Sequence, residues 1–163
     1  MSNTLHDPYW KLRPTAPTPD EEMCHCSMPL GVTLCDLLTN NPISCVECRG
    51  EVLPERLAFD EQLSEEIATW LSSHRSLYCL WLSSGEYETW ARDRLSDPHG
   101  EVNVEGRKIV RQLNHHARAY YWWFQDTDVE DYSPPDMCPN CNKLLCQIED
   151  NDRLVCDTCM IIL

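Results

Sequence analysis

Apolar positions between residues 59 and 125 recur with periods that define elements. Leu63, Ile67, Trp70 and Leu71 fall three or four apart, so SEEIATWLSSHRSL (64–77) predicts an amphipathic helix capped by Asp60 or Ser64. LYCLWL (77–82) is a compact apolar run closed by Ser83, Ser84 and Gly85, and reads as a buried strand. Tyr87, Trp90, Ala91 and Leu95 share one face of EYETWARDRL (86–95), a second helix, before Pro98, Gly100 and Gly106 break the pattern. Ile109, Val110, Leu113 and Ala117 line a third helix over 107–120, which runs into AYYWWF (119–124), a strand. Alternation there sends Tyr120, Trp122 and Phe124 one way and Tyr121 and Trp123 the other, and core packing explains them better than a platform for bases. EVLPERLAF (51–59) reads as a short strand, irregular at Pro54.

These periods give an α+β core of about three helices and short strands over 59–125, with cysteine-rich modules on both sides. Residues 1–22, which hold four prolines, read as an extended arm; Tyr9 and Trp10 could dock it. Residues 23–58 form an N-terminal zinc module, 126–136 an acidic linker containing proline, and 137–163 a C-terminal zinc ribbon. Nothing approaches the ~20 apolar residues of a membrane span. The start, MSNTLHDPYWKLRP, lacks the apolar stretch of a secretory signal.

The cysteines change the picture most. There are 11 in 163 residues. Close pairs at C-x-C and C-x-x-C spacing suit zinc, and their number with no export signal points to a reducing cytoplasm. Cys138, Cys141, Cys156 and Cys159 form two C-x-x-C pairs separated by 14 residues, enough for a hairpin of two short strands turned at Asp150, Asn151 and Asp152. That is the layout of a ribbon held by Zn²⁺. Cys146, in the first of those strands, reads as a buried side chain. Cys45 and Cys48, followed by Arg49 and a glycine free to take positive φ, need partners for a second Zn²⁺. Cys24 and Cys26 fit best, with Cys35 or His25 in reserve. Four thiolates close a tetrahedral zinc, whereas a catalytic zinc keeps a position for water, so both ions are expected to be structural.

Charge points away from phosphate. The chain carries 27 acids against 13 bases, a formal −14, and each four-thiolate zinc adds two negative charges. Such a field repels nucleic acid and draws basic proteins. Residues 126–163 concentrate it, with nine acids against two bases. The one basic stripe is Arg107, Arg111, His115 and Arg118 on the third helix, a candidate for phosphate or partner contact and equally a partner for the acidic tail. No phosphate loop, nucleophile elbow or paired-carboxylate motif is present, so no enzyme is expected. The expected work is binding a macromolecule, foremost a basic protein.

The matching pieces CVECRGEVLP, YETWARDRL, EGRKIVRQL, ARAYYWWF and CPNC…CDTC occur in an order that resembles an uncharacterised bacterial Zn-ribbon-containing family described as a nucleic-acid-binding candidate. The resemblance covers roughly residues 24–163. A weaker similarity is to double-CXXCG proteins, some of which are immunity partners of toxins. Membership would imply two paired-cysteine modules around an α+β core. The chain departs from the ribbon's usual CPxCG in having Asn142 after Cys141.

Overall fold

The structure is a computed structural model that describes residues 6–148 and 151–163. It confirms the α+β class: three α-helices and a six-stranded mixed sheet, with the first and third helices packed on one sheet face and the second packed against those two. The strands are β1 (Val32–Leu34), β2 (Ile43–Cys45), β3 (Ala119–Trp122), β4 (Cys146–Gln147), β5 (Leu154–Cys156) and β6 (Ile161–Ile162). Their order is β2-β1-β3-β6-β5-β4, with β1, β3 and β6 parallel in the middle and antiparallel pairs at both sides. Strands from the N-terminal module, the middle and the ribbon therefore share one hydrogen-bonded sheet.

Alternation sorts the side chains into two clusters. Val32, Leu34, Ile43, Cys45, Tyr121 and Ile161 face the helices, where they meet Ile67, Trp70, Ile109 and Leu113. Tyr120, Val155 and Ile162 form a smaller cluster on the opposite face. Both halves of the aromatic run are thus packed: Tyr120 and Tyr121 are each 1% exposed.

The helices are α1 (Glu61–Ser83), α2 (Glu88–Ser96) and α3 (Glu101–Leu113). The Asp60 carboxylate accepts from the Leu63 amide at 2.9 Å and caps α1. Several expectations are corrected. LYCLWL is the last part of α1, because Trp81 continues the buried stripe one turn beyond Leu77 while Cys79 and Leu82 face solvent. α3 starts at Glu101, with Gly106 inside it. A β-carbon at Gly106 would lie 2.2 Å from Cε2 of Tyr121, so the glycine marks close helix–sheet contact rather than a break. α3 also ends early, at Leu113. Asn114 there accepts from the Ala119 amide and donates to the Ala119 and Val110 carbonyls, turning the chain into β3. EVLPERLAF contributes isolated bridges at Glu51 and then a 3-10 turn, Pro54–Arg56. Cys146 is exposed, since β4 is a two-residue edge strand with nothing beyond it.

The described part of the N-terminal segment lies against the core. Tyr9 and Leu12 are buried, the Tyr9 hydroxyl donates to the Phe59 carbonyl at 2.7 Å, and Lys11 pairs with Glu65 of α1. Residues 1–5, and Asp150 of the expected ribbon turn, lie outside the described residues. Among the described residues no helix is long and apolar enough to cross a membrane.

Candidate metal centres

Each predicted set of four cysteines comes together. In Cys24, Cys26, Cys45 and Cys48, and again in Cys138, Cys141, Cys156 and Cys159, all four sulfurs lie within 4.8 Å of one another. Four sulfurs bound at ~2.3 Å to one tetrahedral zinc would stand about 3.8 Å apart. The Sγ atoms of Cys141 and Cys156 are 3.7 Å apart. Two all-sulfur cages that could hold two metal ions, with a geometry compatible with zinc, are therefore present. His25 and Cys35 stay out of them. His25 is exposed and reaches the Asp20 carbonyl, and burial pushes the Cys35 thiol up to about 12.

Backbone geometry explains the assembly. The Cys45 amide donates to the Gly50 carbonyl at 2.8 Å and the Arg49 amide to the Cys45 carbonyl at 3.0 Å. The ribbon repeats this: Cys138 to Lys143 at 2.8 Å, Asn142 to Cys138 at 2.9 Å. The third pair follows suit, with Cys156 opposite Ile161 in the β5–β6 ladder. In all three turns the residue after the second cysteine is left-handed: Arg49 at φ 63°, Asn142 at 56° and Met160 at 53°. Asn142 thus stands where CPxCG proteins place glycine, and asparagine tolerates that region. The expected role of Gly50 needs correcting, because the positive φ belongs to Arg49. Gly50 is required for space, as a β-carbon there would sit 2.7 Å from the Cys24 amide nitrogen.

Both cages form part of the core. Cys45 and Cys156 end β2 and β5 and point to the helical side, and Cys24, Cys45, Cys138 and Cys156 are all buried. Burial opposes ionisation of Cys24, but the Cys26 amide, Arg56 and the neighbouring thiols outweigh it and bring the thiol down to about 7. The Lys143 amide leads the contacts that lower Cys141 to about 7. Their partners move the other way: the Cys48 thiol leads the contacts that push Cys26 up to about 12, and burial does the same to Cys138. In the N-terminal cage neighbouring thiols thus oppose one another's ionisation, a conflict that a bound cation would remove.

Residues invisible to spacing arguments support the cages. Arg56 donates to the Cys24 carbonyl at 3.0 Å and the Cys26 carbonyl at 2.5 Å, fixing the C-x-C turn. Asn140 donates to the Cys159 sulfur at 3.2 Å. Asn140 is in turn held by Arg107, which also donates to the Pro98 and Asn103 carbonyls. Ribbon and N-terminal module touch as well, through Arg49–Asp152 and a bond from Asn151 to the Val46 carbonyl.

The basic stripe divides accordingly. Arg107 serves the ribbon, and Arg118, beyond the end of α3, pairs with Asp157 at 2.7 Å, while Arg111 and His115 are exposed. Only Arg107 and Arg111 lie on α3, which ends at Leu113 before His115 and Arg118. Comparison with protein families, curated proteins and solved structures finds no match for this chain. What the structure carries of the resemblance is the pair of four-cysteine clusters, consistent with ribbon-like modules.

Proposed function

We propose that the chain is a non-enzymatic, zinc-binding interaction module whose partner is a basic protein. It would act in a reducing compartment, as an immunity- or antitoxin-type inhibitor or as a subunit of a complex. The observation that carries this reading is the composition of the cages. Four sulfurs saturate a tetrahedral zinc, so neither ion would keep a position for water or substrate. Two such ions bracing one sheet serve shape rather than reaction. The formal charge of −14 supports a cationic partner, since complementary fields speed encounter and reject like-charged surfaces. Nucleic-acid binding through 107–118 has weaker support, because Arg107 and Arg118 are engaged within the chain.

The test is purification from the native source, with and without nuclease, followed by metal analysis and identification of what remains bound. The reading predicts two zincs per chain and a basic protein retained after nuclease treatment. Recovery of nucleic acid alone, lost on nuclease treatment, would overturn it.

A further inference from the structure

We propose that the cleft between α1 and the α2–α3 pair is where the partner docks, and that it takes an amphipathic helix with an apolar ridge flanked by lysines or arginines. This rests on the basic-partner reading above and adds the place and the shape. The cleft encloses about 710 Å³. Its floor is apolar, with Trp70, Leu77, Leu80 and Val102 at the base and Trp90, 49% exposed, on one wall. The Trp70 indole N–H is already spent on the Val102 carbonyl at 3.0 Å, so the floor asks for no polar group. Thr69, Ser73 and Ser76 on α1 are short, which leaves room for a backbone to approach.

The rim decides the occupant's charge. Glu65, Glu66, Glu101 and Glu105 surround the floor, and Arg94, lying over the Trp90 ring at 5.6 Å, is the one base among the lining residues. Glu65 already holds the ammonium of Lys11 from this chain's own N-terminal segment, an internal instance of the contact proposed for the partner. Glu66 and Glu101 make no ion pair among the described residues. Glu105 pairs with Lys108 on its own helix, so Glu66 and Glu101 are the rim carboxylates left without an ion pair. An apolar trough edged by four carboxylates, two of them unpaired, complements a helix that presents leucine-like side chains inward and cations outward. The other large concavity, on the far face of the sheet, has its arginines already paired, Arg49 with Asp152 and Arg118 with Asp157.

The experiment uses the zinc-loaded full chain and two labelled synthetic peptides of roughly 14 residues, about four helical turns. One is an amphipathic leucine–lysine helix; the other has the same composition shuffled so that the leucines form no stripe. Anisotropy titration should show the amphipathic peptide binding about tenfold more tightly than the shuffled one. Trp90→Ala should weaken it about tenfold and Glu101→Lys about fivefold, with zinc content and helical circular dichroism unchanged. Asp136→Lys, an equal charge change at an exposed linker position, should leave affinity unchanged. Equal losses for Glu101→Lys and Asp136→Lys, or equal binding of both peptides, would overturn the cleft assignment while leaving the basic-partner reading in place. Failure of both peptides to bind the wild-type chain would sink both. Self-association abolished by Trp90→Ala would give the cleft to a second copy instead.

Discussion

Arg107→Ala tests whether the cages are positioned by residues outside the cysteine spacing. Arg107 leaves α3 to donate to Asn140 and to two carbonyls, and Asn140 donates to the Cys159 sulfur. Hydrogen bonds from a charged group are worth ~1.5–3 kcal/mol when buried. Arg107 is half-buried, so water would replace part of this, and the cost to global stability should be about 1–2 kcal/mol. The effect on metal is more specific. Removing a metal ligand's own hydrogen-bond partner typically costs ~10–100-fold in affinity. Asn140 itself remains, so about tenfold is expected at the C-terminal cage and none at the N-terminal one. Chelator competition gives the affinities, and cadmium substitution read by NMR separates the two cages. Arg118→Ala is the control, because Arg118 holds the same ribbon through Asp157 in an exposed pair that touches no sulfur. Equal zinc affinity in Arg107→Ala and the wild type, or equal losses at both cages, would refute the reasoning.

Further outcomes follow from other contacts. Gly106→Ala should lower stability by about 1–3 kcal/mol despite the better helix propensity of alanine, because the new β-carbon meets Tyr121 at 2.2 Å; an unchanged melting temperature would contradict this. Burial of the Asp36 carboxyl opposes its charge, but the His74 ring 3.7 Å away and hydrogen bonds from Arg75 and the Leu38 amide outweigh burial and hold it at about 2. Its folded pKa is depressed, so its contribution of about 2 kcal/mol is complete above about pH 4 and is lost as pH falls towards 2. Asp36→Asn should therefore be destabilised at neutral pH, with the gap to wild type closing over that acid range in unfolding titrations. Equal stability of the two at neutral pH would rule it out. Cys45→Ser should release one zinc and disorder the Cys24–Cys26 turn together with the end of β2, seen as lost amide protection; a full zinc complement would contradict the cage.

Spacing made the two cages legible, since C-x-x-C turns have few ways to present two sulfurs to one ion. The amphipathic face of α3 was legible for the same reason, since period and burial agree at Ile109, Val110 and Leu113. Only half of the face expected for α2 is buried: Ala91 and Leu95 are, whereas Tyr87 and Trp90 are about half exposed. LYCLWL was not legible, because a short apolar run fits a buried strand and the end of a helix equally well, and only the position of Trp81 against Phe124 decides. For the basic stripe, engagement with the acidic tail was one of the readings the sequence offered, and the Arg118–Asp157 pair is an instance of it. Which tail residues are reached was not legible, because Asn140 and Asp157 lie over 30 residues away in a ribbon that folds back. The expected positive φ at Gly50 failed because glycine is equally demanded by a crossing backbone, which no local pattern reveals.

The central claim is that two closed four-sulfur zinc sites brace one sheet. X-ray absorption together with metal analysis of the freshly purified chain tests it most directly. The account predicts two zincs per chain, each with four sulfur neighbours at ~2.3 Å and no nitrogen or oxygen ligand. Fewer than two zincs, or a shell containing a water, histidine or carboxylate ligand, would contradict it.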